Sequence, residues 1–174
     1  MLIKQVLGTF VLAAALSAGA AICASAEMLS RSAPSFGRVM LILRGVANSE
    51  NPRGQLDDQS ALEYARRRGF RGEVLDVASN TTANGQQILM ALERIRRDET
   101  VTAIYGFSGG GYNARAIWKE LSPVERGRIR NVVVIGSPDV VETDFPGYSD
   151  VLIQDDPPEG HLAGPRVLLE SLGP

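Results

Sequence analysis

The chain has 174 residues, of which 44% are hydrophobic, and this is enough apolar sequence for one domain with a buried core. Its formal net charge of −2 excludes the strongly basic composition of most nucleic-acid-binding domains, so no nucleic-acid partner is expected. The sequence has no internal repeat and no low-complexity tract, which excludes a solenoid and a largely disordered chain.

Residues 1–26 have the pattern of a secretory signal peptide. Lys4 gives a short positive region, residues 6–22 are apolar, and Ala24-Ser25-Ala26 provides small residues at a cleavage site. A membrane anchor is the alternative, because the apolar segment is near the lower length limit for a span. A lipoprotein signal at Cys23 is disfavoured by the bulky residue before it. We therefore expect an exported protein, periplasmic or secreted, with no membrane span after the signal is removed.

The sequence offers few side chains that suit a metal ion. Removal of the signal peptide also removes Cys23, the one cysteine, and leaves His161 as the one histidine. Carboxylates alone are a poor ligand set for zinc, so we expect no metal and no cofactor. The mature chain would also have no disulfide and would depend on packing alone.

Residues 27–36 predict a flexible lead-in, and a single domain is expected over residues 37–174. Its elements, in chain order, are a strand at 39–43, a helix at 56–68, a strand at 73–78, a helix at 82–97, a strand at 101–105, a helix at 113–121, strands at 131–135 and 150–154, and a closing helix at 162–172. Alternating strands and helices predict an α/β fold. We expect a compact, doubly wound, mainly parallel sheet of about five strands with helices on both faces.

Several polar and glycine residues follow directly after predicted strands. In parallel sheets of this class, ligands bind beyond the carboxyl ends of the strands. The topology should therefore gather these residues at one edge of the sheet. They are Gly45, Ser108, Asp139, Asp155, Asp156 and His161.

A Gly-x-Ser-x-Gly pattern lies between the third strand and the third helix. Its members are Gly106, Ser108 and Gly110. Strand, glycine-flanked serine and helix together are typical of a nucleophile elbow, in which a sharp turn exposes the serine hydroxyl above the sheet. Glycines tolerate the backbone angles and the close contacts of such a turn. His161 lies downstream, and it is the one histidine that could serve as the base for a serine nucleophile.

The order of strand, elbow serine, carboxylate and histidine resembles the α/β-hydrolase superfamily. The resemblance covers about residues 37–172 and is strongest to the small, lidless, cutinase-like serine esterases. In these enzymes an acid follows the last strand and a histidine begins the last helix. The resemblance implies that Ser108 is the nucleophile and that His161 acts as general base and then as general acid.

The third member of the implied triad is left open between several carboxylates. Asp155 and Asp156 follow the last strand, where the cutinase-like pattern has its acid. Asp139 follows the preceding strand and is the next candidate, and Asp144 is a further one. The acid would fix the tautomer of the imidazole and stabilise the imidazolium. Only a short loop separates Asp155 and Asp156 from His161, so that loop must fold back tightly if either is the acid.

An oxyanion hole needs two backbone N–H groups that point at the developing negative charge. Gly109, directly after the nucleophile and at a helix N-terminus, is the first candidate donor. The second should come from the loop after the first strand, so Gly45 and Val46 are candidates. His-Gly often occupies this loop in the family, whereas this chain has Arg44-Gly45. Arg44 either faces the cleft and favours an anionic substrate or is simply solvated.

The predicted activity is hydrolysis of a carboxylic ester through an acyl-enzyme. The segment between the last two strands is too short for a helical cap, so the site should be open to small-molecule or surface-bound esters. A thioesterase or amidase would use the same triad, and a catalytically inactive hydrolase-like binding protein is the alternative. The glycines do not give G-x-G-x-x-G and no Walker lysine follows, which argues against nucleotide binding. The sequence leaves the acyl and alcohol groups and the oligomeric state open.

Overall fold

The protein is described from a computed structural model that covers residues 37–46, 58–77, 79, 85–147 and 150–173. The predicted signal peptide (1–26) and lead-in (27–36) lie outside the described residues. Among the residues that are described, no helix is long and apolar enough to cross a membrane.

Five parallel strands form one sheet in the order β2-β1-β3-β4-β5. The chain first moves outward from β1 to β2, and then returns to the other side of β1 and continues through β3, β4 and β5. The order therefore reverses between β1 and β3, and sheets of this class bind ligands at the carboxyl ends of strands where the order reverses. The strands are β1 (Val39–Leu43), β2 (Arg71–Val74), β3 (Val101–Phe107), β4 (Asn131–Ile135) and β5 (Val151–Gln154).

Helices cover both faces of this sheet, and the predicted fold class is confirmed. On one face α1 and α5 pack over a core that includes Ile42 and Tyr105. On the other face α2 and α3 pack over a core that includes Leu41 and Ile104. The central strands are buried on both sides, which explains their uninterrupted apolar runs. The helices are α1 (Asp58–Arg67), α2 (Gly85–Arg97), α3 (Gly109–Glu120), α4 (Pro123–Arg128) and α5 (Gly164–Ser171), with one-turn 3-10 helices at Glu142–Asp144 and His161–Ala163.

Several boundaries differ from the predictions, and those of β2 and β3 follow from strand pairing. Strand β3 extends two residues beyond the predicted end, because Gly106 and Phe107 pair with Val134 and Ile135 of β4. Strand β2 runs over Arg71–Val74 rather than 73–78, since its register opposite β1 covers these residues. The longer β3 places the serine of the elbow immediately after the strand, and α3 begins at Gly109 rather than at 113. The closing helix runs over Gly164–Ser171 rather than 162–172, because a 3-10 turn occupies His161–Ala163.

Helix α4 was not predicted, although the sequence carries its signal. Ser122 caps the helix by accepting a hydrogen bond from the backbone N–H of Glu125, and the Glu125 carboxylate accepts one from the backbone N–H of Ser122. This reciprocal pair is a capping box, and Pro123 occupies the first turn, where its missing N–H costs nothing. The Ser-Pro pair that follows the third predicted helix therefore begins a further helix.

Candidate active site

The elbow around Ser108 is a sharp, strained turn between β3 and α3. Ser108 has φ 52° and ψ −121°, and it is the one non-glycine residue with positive φ in the part of the chain that the structure describes. Such a conformation persists only where the surroundings enforce it, and it is frequent at functional sites. A Cβ on Gly106 would lie 2.6 Å from the carbonyl oxygen of Gly110, so the turn admits only glycine at that position.

Hydrogen bonds with the end of β4, with Ser137 just beyond it and with the first turn of α3 hold the backbone of Ser108. Its N–H donates to the carbonyl oxygen of Ile135 at 2.8 Å. The Oγ of Ser137 donates to the carbonyl oxygen of Ser108 at 2.6 Å, and this hydroxyl is buried. The N–H of Gly111 donates to the same oxygen at 2.9 Å. Ser137 was not identified from the sequence, yet it fixes the nucleophile candidate in its strained conformation.

His161 pairs with Asp156. The Nδ1 of His161 lies 2.6 Å from Oδ1 of Asp156. With the proton on Nδ1, this contact leaves the lone pair of the imidazole on Nε2. The side chains of His161 and Asp156 are 39% and 49% exposed, so the pair is accessible from solvent.

A tight turn makes this pairing possible. Strand β5 ends at Gln154, and the N–H of Gly160 donates to the carbonyl oxygen of Pro157 at 2.9 Å. Gly160 has φ +101°, a conformation that favours glycine. The turn returns the chain toward the sheet, so that His161 begins the 3-10 helix that leads into α5.

The imidazole of His161 lies against the elbow. Its ring stacks on Phe107, the residue before Ser108, with ring centroids 4.8 Å apart and an interplanar angle of 28°. Gly136, directly after β4, packs closely against the imidazole ring. A Cβ there would lie 2.7 Å from Oδ1 of Asp156 and from Cε1 of His161. The structure therefore brings Ser108, His161 and Asp156 to one end of the sheet.

The other carboxylate candidates are placed differently. Asp155 and Asp139 are exposed, and the structure pairs neither with His161. The carbonyl oxygen of Asp139 accepts a hydrogen bond from Arg115. Asp144 lies in a 3-10 helix, where its carboxylate accepts from the N–H of Val141 and lies 3.5 Å from Arg115.

The candidate oxyanion residues come together beside Ser108. Gly109 is the first residue of α3, so its N–H is one of the donors that the helix leaves unpaired. A Cβ on Gly45 would lie 3.1 Å from Cβ of Ser108, and one on Gly109 would lie 2.6 Å from Cγ2 of Val46. The loop after β1 thus packs directly against the elbow.

Arg44 is largely buried and is paired with two carboxylates. Its side chain is only 13% exposed, and its Nη2 and Nε lie 2.6 and 3.4 Å from the two carboxylate oxygens of Asp58. Its Nη1 also contacts Asp76 at 2.7 Å. The guanidinium thus ties the loop after β1 to the start of α1 and to the segment after β2, so the interpretation of Arg44 as a solvated side chain is wrong.

Comparison with known proteins bears on the fold. No protein-family model matches the chain, and no curated protein matches its sequence. Among solved structures, the chain is similar to a cutinase from Trichoderma reesei in complex with a C11Y4 phosphonate inhibitor. The two share 13% sequence identity with a TM-score of 0.55, and the alignment covers 78% of this chain and 69% of the cutinase. The resemblance that the sequence predicts is confirmed at the level of structure: this chain has the fold of a cutinase-type α/β hydrolase.

Proposed function

We propose that this protein is a serine hydrolase that cleaves carboxylic esters through an acyl-enzyme. The observation that carries the proposal is the 2.6 Å contact between His161 and Asp156, next to a serine in a strained elbow. An imidazole held by a carboxylate beside an exposed serine is the arrangement that activates a hydroxyl for nucleophilic attack. We assign Ser108 as nucleophile, His161 as base and Asp156 as acid, in preference to Asp155 and Asp139.

The proposed reaction has two half-reactions. In the first, Nε2 of His161 takes the hydroxyl proton while Oγ of Ser108 attacks the ester carbonyl. The tetrahedral intermediate collapses, the bond to the alcohol oxygen breaks, and His161 gives its proton to the departing alcohol. In the second, His161 takes a proton from water while the water oxygen attacks the acyl carbonyl. The bond to Oγ of Ser108 then breaks, and His161 returns its proton to that oxygen, which releases the carboxylic acid and the free serine.

The negative charge of each tetrahedral intermediate needs donors that are already in place. We assign the N–H of Gly109 to this role, together with an N–H from Gly45 or Val46. These groups belong to a helix N-terminus and to the loop beside it, in which Gly45 is buried and Val46 half-buried, so little reorganisation accompanies the reaction. Preorganised donors of this kind are usually the largest single contribution to acyl-transfer catalysis.

The proposed substrates are esters that reach an uncapped site. Between β4 and β5, the described residues contain only the single turn Glu142–Asp144 and extended or turn segments. Small-molecule esters and esters at a surface both fit such a site, and thioesters or amides would use the same groups. The chain's likeness to a cutinase supports the ester over the other two.

The test is hydrolysis of a series of p-nitrophenyl esters by the purified protein, beside Ser108→Ala and His161→Ala. We expect turnover by the wild-type chain and loss of at least about a thousandfold in either variant. Ser122→Ala, which removes the cap of α4 beyond the opposite end of α3 from the elbow, is the matched control and should keep kcat unchanged. A folded wild-type protein that hydrolyses no ester, thioester or amide would instead favour a binding role.

A further inference from the structure

Three buried polar side chains lie beneath the loops at the carboxyl end of the sheet. Gln87 in α2 and Asn113 in α3 are fully buried, and Ser79 is 1% exposed. Gln87 precedes the buried Ala91 by one helical turn, and Asn113 likewise precedes Ile117. Both amides therefore occupy positions where the pattern of their helix calls for an apolar side chain.

These side chains form one connected network. The Nδ2 of Asn113 donates to Oε1 of Gln87 at 2.7 Å and to Oγ of Ser79 at 3.1 Å. The Nε2 of Gln87 donates to the carbonyl oxygens of Val77 at 2.6 Å and Arg44 at 3.3 Å. The network thus links α2 and α3 to the segments that follow β1 and β2.

The network ends at the loop that carries the candidate oxyanion donors. The N–H of Ser79 donates to the carbonyl oxygen of Gly45 at 2.9 Å, and Ser79 forms a β-bridge with Val46. On its other side, Ser79 lies close to the start of α3, since a Cβ on Gly109 would be 2.8 Å from its Oγ. Ser79 therefore lies between the two segments that supply the proposed oxyanion donors, the loop after β1 and the start of α3.

Packing alone gives no reason for amides at these positions. A buried amide must recover its lost hydration through hydrogen bonds, and an apolar side chain of the same size would avoid that cost. Here the donors of Gln87 are directed to loop carbonyls rather than to the helices themselves. The amide N–H groups of Gln87 and Asn113 are all used in the network, whereas Oδ1 of Asn113 has no hydrogen-bond partner among the described residues. Paired buried donors of this kind make a structure rigid and favour one arrangement. The segment that is fixed in this way is the loop beside Ser108.

We propose that Gln87 and Asn113 are positioning residues for the oxyanion hole. Through Ser79 and the carbonyl of Arg44, they hold the loop after β1 at a fixed distance from Gly109. The two backbone donors are then aligned before substrate binds. This inference rests on the proposed serine hydrolase activity, and it assigns a role in the transition state to side chains that do not touch the substrate.

The test compares Gln87→Met and Asn113→Leu, which keep approximate shape and remove the hydrogen bonds, with Ile95→Val and Ile117→Val. The two valine variants remove a buried methylene from the same helices and serve as matched controls for lost stability. Deleting one oxyanion donor costs about 100- to 1,000-fold in kcat, so misalignment should cost about 10- to 100-fold. KM should change less than about threefold, because a transition-state interaction is lost.

A second measurement separates this role from general loosening. A trifluoromethyl ketone forms an adduct with the serine that carries an oxyanion. Its inhibition constant should rise in the two network variants by the same factor as kcat/KM falls. The valine controls should bind it like the wild-type protein. The pH profile of kcat/KM should keep its shape in all four variants, since the pair of His161 and Asp156 is untouched.

The inference is overturned if folded network variants keep kcat within twofold of the valine controls, or if kcat falls while the affinity for the ketone does not. If either network variant fails to fold, Ser79→Ala decides the question, because it deletes a single hydroxyl and leaves both amides in place. Ser79→Ala should lower kcat and raise the inhibition constant of the ketone by similar factors. An unchanged kcat and an unchanged inhibition constant would reject the positioning role. An inactive wild-type protein would instead refute the proposed function itself.

Discussion

Replacement of Gly136 by alanine should inactivate the protein far more than it destabilises it. Gly136 has φ +62°, and an added Cβ would lie 2.7 Å from Cε1 and 2.9 Å from Nδ1 of His161. Ordinary contacts of a Cβ begin near 3.4 Å, so the imidazole must retreat by about 0.7 Å. Displacements approaching 1 Å can cost about 100-fold in rate, and we expect a loss of about that size in kcat.

The stability cost of the same change is smaller and can be matched by a control. Alanine at a positive φ costs about 1–2 kcal/mol, whatever space surrounds it. Gly147 has φ +89° with no atom within 4 Å of an added Cβ, so Gly147→Ala carries the conformational cost without the clash. Gly127→Ala, in α4 and also without neighbours, should be neutral or slightly stabilising.

The assay is ester hydrolysis under saturating substrate, with thermal unfolding of each variant measured in parallel. We expect Gly136→Ala and Gly147→Ala to unfold at similarly lowered temperatures, while only Gly136→Ala loses activity. If folded Gly136→Ala keeps kcat within threefold of Gly147→Ala, then the contact between His161 and Asp156 is not needed for turnover and the reasoning fails.

Three further predictions follow from contacts of the described residues. Asp156→Asn should lower kcat by about 10,000-fold because it favours the wrong imidazole tautomer, whereas Asp155→Asn should change kcat by less than about twofold; equal effects in steady-state kinetics would reject the assignment of the acid. Ser137→Ala should cost about 1 kcal/mol in chemical denaturation and slow phosphonylation of the nucleophile, because the carbonyl that Ser137 holds loses a donor; an unchanged labelling rate would contradict this. Hydrogen bonds from Arg94 lower the pKa of Glu73 below its usual 4.5. The pair therefore stabilises the fold fully above pH 4.5, and this stabilisation is lost as the pH falls through the lowered pKa. Glu73→Gln should therefore lower the free energy of unfolding at pH 7 by about 1 kcal/mol and make the unfolding temperature depend less on pH between pH 3 and 7. If the wild-type protein and the variant show the same pH dependence of thermal unfolding, the pair contributes nothing.

The strands of the sheet could be predicted because each one has a recognisable local sequence pattern. Strands β1 and β4 are continuous apolar runs that are buried on both faces, and their predicted bounds match the structure. The order of the strands in the sheet depends on the whole chain and cannot be predicted from the hydrophobic periodicity of single segments. The true bounds of β2 and β3 depend on register against their neighbours, so a reading of each segment alone shifted β2 and ended β3 two residues early.

The candidate site could be predicted only in part, for the same reason. The pattern around Ser108 specifies a local turn, which a sequence reading can recognise. The choice between Asp155 and Asp156 depends on a single residue at the end of β5 and on how the next turn closes, which is finer than such a reading resolves. Gln87 and Asn113 did leave a signal, since each is a polar residue at a core position of its helix.

The most direct test of the central claim is the position of the adduct left by an alkyl fluorophosphonate. The reagent should modify one residue of the folded wild-type protein, and mass spectrometry of the digested protein should locate the phosphonyl group on Ser108. Ser108→Ala should take up none, and His161→Ala should react at least about a hundredfold more slowly, because the base is missing. A folded wild-type protein that is not modified, or that carries the adduct on another residue, would contradict the account.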